Sequence, residues 1–230
     1  MSSVLVHHHL GMGDHIICNG MVRKIASNYD SVSLIVLDYN MKSVVRMFDD
    51  TTNIKIIPIP STGWTNEIHY VNAWVFRFPE IKRIGIPGPS ERKCDKFDAE
   101  LYRSAGIDHS FRWSGFSFRR DEKDEQDAYE MLVGDNKEPY IFVHDDPSRG
   151  FHLNLETNGV RVVKNDPRIN IFSLIKVLEG AKEIHVMESS ISALIEHLPS
   201  IRDEQLFYHP EVRNYSSFLQ ATTKRNWRVV

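Results

Sequence analysis

Short runs of continuously apolar, β-branched residues alternate along this chain with stretches of helical periodicity, and that alternation constrains the fold more than any other feature. VSLIVLD (32–38) and YIFVHDD (140–146) lack the apolar–polar alternation of a half-exposed strand. Strands of that kind are buried on both faces, as in parallel sheets whose crossover helices cover both sides. SVLVHHH (3–9) predicts an opening strand and a helix from about residue 14, with Ile17, Cys18, Met21, Val22 and Ile25 on one face. A helix over about 40–49, a strand at 53–60, a helix near 64–77, a strand at 81–86 and a helix at about 94–105 follow. Pro58 and Pro60 point to a sheet edge or strand exit. The rhythm then restarts with a helix at 122–134 ended by Gly134, strands at 140–146 and 159–165, and a helix at 170–181. A strand at 183–189, a helix stopped by Pro199, a strand at 205–209 and a helix near 213–223 complete it.

Two passes of one rhythm predict an α/β chain of two Rossmann-like domains, 1–121 and 122–230, with the acidic stretch RRDEKDEQD (119–127) at the boundary. A single sheet running through all 230 residues is the alternative. In open α/β sheets ligands collect outside the carboxyl ends of the strands, so a cleft between the two sets of ends is expected. Attention therefore falls on residues 7–15, 38–40, 60–64, 144–150, 164–168, 188–192 and 209–213.

Composition narrows the function. The formal net charge is −3, so the basic excess that drives phosphate-backbone binding is missing and nucleic acid is not the expected partner. No apolar run approaches the ~18 residues of a membrane span. The opening MSSVLVHHHLGMGDH has neither a basic stretch nor a small-residue cleavage site, which predicts a cytosolic protein. Cys18 and Cys94 are too few for a disulfide framework or a cysteine zinc site.

Three segments could carry chemistry. In HHHLGMGDH (7–15), Gly11 and Gly13 permit a tight turn and close approach of a ligand, and Asp14 begins a helix. One reading is a dinucleotide fingerprint, with Asp38 as the ribose-binding acid. Against it, Ile16 replaces the third glycine and Asp14 puts a carboxylate where a pyrophosphate belongs. Another reading makes Asp14 a plain helix cap. Alternate strand residues face opposite ways, so at most His7 and His9 share a face and no metal site is expected. His15 reads either as a solvated polar residue or as a cleft-facing base. In VHDDPSRGFHL (143–153), His144 ends a strand and Arg149 follows in a loop able to offer a guanidinium to phosphate, or to form a charged solvated turn. In HVMESSISALIEHL (185–198), Glu188 ends a strand, and Ser189 and Ser190 open a helix, as a cap or as an anion site. No nucleophile elbow, Walker loop or His-Glu-x-x-His helix is present.

Taken together, three segments resemble the heptosyltransferase-like glycosyltransferases of the two-domain GT-B type, in compact form. LGMGDHI looks like their first-loop GxGD segment, here Gly11, Gly13 and Asp14. Residues 171–198 look like their nucleotide-site segment, with Ser190 at the usual glycine, and FVHDDPSRG (142–150) holds the place of their phosphate-contacting loop. The resemblance implies sugar transfer from a nucleotide-sugar donor bound by the second domain to a carbohydrate or glycoconjugate acceptor on the first. Asp14 would be the base with His15 as substitute. Arg149, Ser189 and Ser190 would stabilise the leaving diphosphate, His144 would help hold the donor and Glu188 would accept from ribose hydroxyls. With those groups no metal or other cofactor is required, and transfer would be inverting. An NAD(P) oxidoreductase built on Gly11, Gly13 and Asp38, or a non-catalytic nucleotide-binding module, are the competing classes.

Overall fold

A computed structural model describes residues 2–85, 96–147, 150–210 and 221–230. The chain divides into two compact units, Met1–Arg119 and Arg120–Val230. Each has its own sheet, four-stranded in the first and five-stranded in the second, so the single-sheet alternative does not hold. Every strand pair is parallel.

The first unit runs β1 (Ser3–His7), α1 (Met12–Ala26), β2 (Ser31–Leu37), α2 (Met41–Met47), β3 (Ile54–Ile59), α3 (Trp64–Val75), β4 (Glu80–Arg83), α4 (Phe97–Ser104) and α5 (Phe111–Ser114). Its strand order is β3-β2-β1-β4. The chain thus steps outward from β1 to β3 and then returns to the other side of β1, which makes the β1/β4 boundary the switch point of the sheet. β3 is an edge strand, where the missing N–H of Pro58 is tolerated. One sheet face buries Leu5, Ile35, Leu37, Ile57 and Ile59 beneath Val71 of α3.

The single apolar face predicted for α1 is too narrow. Every residue from His15 to Val22 is buried, because α4 and α5 close over the side facing away from the sheet. The Tyr102 hydroxyl donates to the Ile17 carbonyl at 3.0 Å and accepts from the Met21 N–H at 3.2 Å. Asn19 exchanges two 3.0 Å hydrogen bonds with the Ser117 backbone. Gly20 allows the closest approach, since a Cβ there would lie 2.0 Å from the Phe111 carbonyl oxygen. Buried Asp98 ties α4 to α5 by accepting from Arg112 and from His109 Nε2. α5, four residues long, is too short to show a helical period in sequence.

The second unit runs α6 (Glu122–Leu132), β5 (Tyr140–His144), β6 (Arg161–Lys164), α7 (Ile175–Gly180), β7 (Glu183–Val186), α8 (Ser190–Ile195), β8 (Leu206–Tyr208) and β9 (Arg228–Val229), with strand order β6-β5-β7-β8-β9. Its switch point lies between β5 and β7. Asp121 caps α6 by accepting from the Asp124 N–H at 3.1 Å. The helix predicted at 170–181 begins instead as a 3₁₀ turn, Ile171–Leu174, which Asn170 caps by accepting from the Phe172 N–H. Most of the helix expected near 213–223 lies outside the described residues. Residues 221–223 are not helical, and β9 adds a fifth strand too short to read in sequence.

Candidate functional site

In the first unit the groups of interest gather where β1 gives way to α1. Gly11 is the residue before the helix, with extended backbone (φ −66°) and no side chain to cap it. Neither Gly11 nor Gly13 has a positive φ, so the turn does not depend on glycine's conformational freedom. What Gly11 supplies is space: a Cβ there would sit 2.7 Å from Asp14 Oδ2. The carboxylate of Asp14 therefore folds back over Gly11 from the first turn of α1. Burial raises its pKa above the usual carboxylate value, against the opposing pull of His9 and the Gly11 backbone. A carboxylate so placed is a better proton acceptor than one in water.

The histidines around it are mostly buried. His15 is 1% exposed, so the solvated reading of this residue does not hold. Its ring meets that of His8 edge-on, with centroids 4.6 Å apart, and neither of its nitrogens has a hydrogen-bond partner. Burial pulls its pKa well below that of a free imidazole and brings His7 and His8 down to about 4. His8 Nδ1 is 2.5 Å from the His9 carbonyl, and His9 Nε2 is 2.5 Å from the Gly85 carbonyl, at the exit of β4. Among the described residues no cluster of three or more metal-ligating side chains occurs. Asp38, exposed after β2, accepts from the Tyr39 N–H at 2.8 Å.

In the second unit His144 closes β5 and Glu188, Ser189 and Ser190 follow β7, on the two sides of the switch point. Arg149 lies outside the described residues. His144 Nδ1 is 2.7 Å from Asn165 Oδ1, a partner the sequence did not single out. The β5–β6 register pairs Val143 with Lys164, which brings the residues after them together, and that pairing is invisible along the chain. Lys164 in turn contacts the buried carboxylate of Asp145 at 2.7 Å. Asp146 and Phe151 exchange backbone hydrogen bonds of 3.1 and 3.0 Å, closing the base of the loop between them.

Of the two readings of Ser-Ser, the cap is present. The Ser189 hydroxyl accepts from the Ser192 N–H at 3.4 Å, and the Ser192 hydroxyl accepts from the Ser189 N–H at 2.9 Å. This reciprocal box engages the Ser189 side chain and N–H within the helix start. Ser190, half-buried in the first turn, contributes an N–H that precedes the first intrahelical acceptor. Glu188 is also half-buried, one residue before the cap.

No protein-family model and no curated protein matches the chain. Solved structures do. All of this chain aligns with 85% of a glycosyl transferase of family 9 from Veillonella parvula, at TM-score 0.59 and 10% identity. The fold is a two-domain GT-B type glycosyltransferase fold. The chain also aligns over its full length with 90% of E. coli ADP-heptose LPS heptosyltransferase II, at TM-score 0.52 and 10% identity. With the iron-containing dodecameric glycosyltransferase TibC of enterotoxigenic E. coli the TM-score is 0.60 at 11% identity, and 99% of this chain covers 62% of TibC. Among the described residues no helix is long and apolar enough to cross a membrane.

Proposed function

We propose that this protein is a glycosyltransferase that moves a sugar from a nucleotide-sugar donor to a hydroxyl of a carbohydrate or glycoconjugate acceptor. The observation that carries this reading is the Asp14 carboxylate, folded over Gly11 at the carboxyl end of β1 with its pKa raised by burial, in a fold shared with solved glycosyltransferases. Transfer is a single inverting displacement. The acceptor oxygen forms a bond to the anomeric carbon as the bond from that carbon to the diphosphate oxygen breaks. The nucleoside diphosphate leaves with the bonding pair, and the hydroxyl proton passes to Asp14, with His15 as the substitute base. The second unit binds the donor. Arg149 and the first-turn N–H of Ser190 offset the diphosphate charge, Ser189 holds that turn in shape, His144 contacts the donor and Glu188 accepts from ribose hydroxyls. These groups make a divalent metal unnecessary, and the setting is cytosolic.

The Asp14 geometry weighs against a dinucleotide, whose pyrophosphate would have to lie where this carboxylate packs. Calorimetric titration with UDP, GDP, ADP, CMP and NAD tests the reading, followed by transfer assays with the matching nucleotide sugars, with and without EDTA. ADP-heptose belongs in the panel because a heptosyltransferase named for it shares the fold. One nucleoside diphosphate should bind and NAD should not. NAD binding alone would favour the oxidoreductase, and tight diphosphate binding without transfer would favour a non-catalytic module.

A further inference from the structure

We infer that Tyr39 is a stacking platform for a pyranose ring of the acceptor, an inference that rests on the glycosyltransferase reading and deepens it. Tyr39 follows β2, the strand paired with β1, and so belongs to the same carboxyl edge of the sheet as the Gly11–Asp14 turn. It is 65% exposed. Other large apolar side chains of this unit are exposed on helix surfaces, such as Tyr70 within α3 and Phe76 at its far end. Among the described residues Tyr39 is the exposed aromatic at the edge where ligands of such sheets bind.

Its backbone is held rather than loose. Asp38–Asn40 forms a 3₁₀ turn closed by the Met41 N–H on the Asp38 carbonyl. Buried Asn40 donates from Nδ2 to the Leu10 carbonyl at 3.0 Å, one residue before Gly11. The turn bearing Tyr39 is thereby tied directly to the turn bearing Asp14. Asp38 Oδ1 accepts from the Tyr39 N–H at 2.8 Å, which fixes a carboxylate on the same turn. A pyranose presents one face of C–H bonds and a rim of hydroxyls. An aromatic ring with few torsions matches the first, and a fixed carboxylate matches the second. Because the turn is already ordered, ligand binding need not order it.

Saturation-transfer NMR on the full chain tests this without a donor, using methyl pyranosides of glucose, galactose, mannose and N-acetylglucosamine. At least one should receive saturation mainly on the C–H protons of one ring face. Tyr39→Phe and Tyr39→Trp should keep that signal. Tyr39→Ala should weaken binding about three- to tenfold, the scale of one aromatic stacking contact, with an unchanged unfolding midpoint. Equal binding by Tyr39→Ala, or no binding of any pyranoside to the unaltered chain, would overturn the inference. Failure of every nucleotide to bind would instead overturn the transferase reading, and the saccharide result would still be legible.

Discussion

The β1–α1 junction of the first unit and the β7–α8 junction of the second start from the same local grammar: a buried strand, a short turn with small residues, then a helix. They resolve it in opposite ways. α1 runs 15 residues from an uncapped Gly11, and its first turn holds a carboxylate that packs on that glycine. α8 runs six residues, and Ser189 and Ser192 close its start on each other. The first junction carries a titratable group under strain from burial. The second spends Ser189 and Ser192 on its own backbone. The long helix is packed by α4 and α5 along its outer side, and at its start the Asp14 carboxylate is hydrogen-bonded to the Gly11 backbone.

The largest expected effect separates the two junctions by rate. Asp14→Asn keeps the shape but cannot take up the acceptor proton at neutral pH. Single-turnover transfer should fall by about 10²–10⁴, while donor affinity and unfolding midpoint stay near those of the parent. Loss of folding in this variant would return Asp14 to the role of a helix cap. Full activity, with loss in His15→Ala, would move the base to His15.

Acid should separate them by stability. His7 and His8 are held neutral by burial, with pKa values of about 4 against 6.5, and His15 is shifted the same way. Below pH 6.5 the unfolded chain takes up protons that these rings refuse. Stability present above 6.5 is therefore lost as pH falls, the His7 and His8 contributions being lost by about pH 4. The raised pKa of Asp14 works in the opposite sense, one group against three. In the second unit His209 is lowered to about 4 and His185 is lowered as well, both by burial. Hydrogen exchange between pH 7 and 4.5 should show the β1–α1 junction opening before α8. Simultaneous opening would contradict the comparison.

Gly11→Ala is a finer probe. Its φ of −66° accepts alanine, so stability should change by less than about 0.5 kcal/mol. The new Cβ displaces the Asp14 carboxylate, and the transfer rate should drop about tenfold. Ser189→Ala should do the reverse, lowering stability by about 1 kcal/mol in denaturant titration with a smaller change in rate.

Much of this was legible in sequence because parallel strands buried on both faces leave a continuous apolar signature. VSLIVLD and YIFVH became β2 and β5 on that signal alone. Gly134, with φ +69°, ends the region of α6 as read. What the sequence hid was set by pairing between distant segments. Asn165 meets His144 only because β5 and β6 lie side by side, and Asn40 reaches Leu10 only because β2 neighbours β1. The close packing at Asn19 and Gly20 needed α5 and the residues just after it, four helical residues with no period of their own and a short tail. In sequence Gly11 reads as permitting a tight turn and close approach. Its φ of −66° is open to any residue, and the space it leaves is taken by the Asp14 carboxylate, a contact three residues on that leaves no mark in a local motif.

The most direct measurement of the central claim is the anomeric configuration of the transferred or released sugar, read by ¹H NMR immediately after a single turnover from the nucleotide sugar that binds. A carboxylate that only removes a proton, at one end of a single displacement, predicts inversion at the anomeric carbon. Retention of configuration would contradict it, as would the absence of any cleavage of the bound donor.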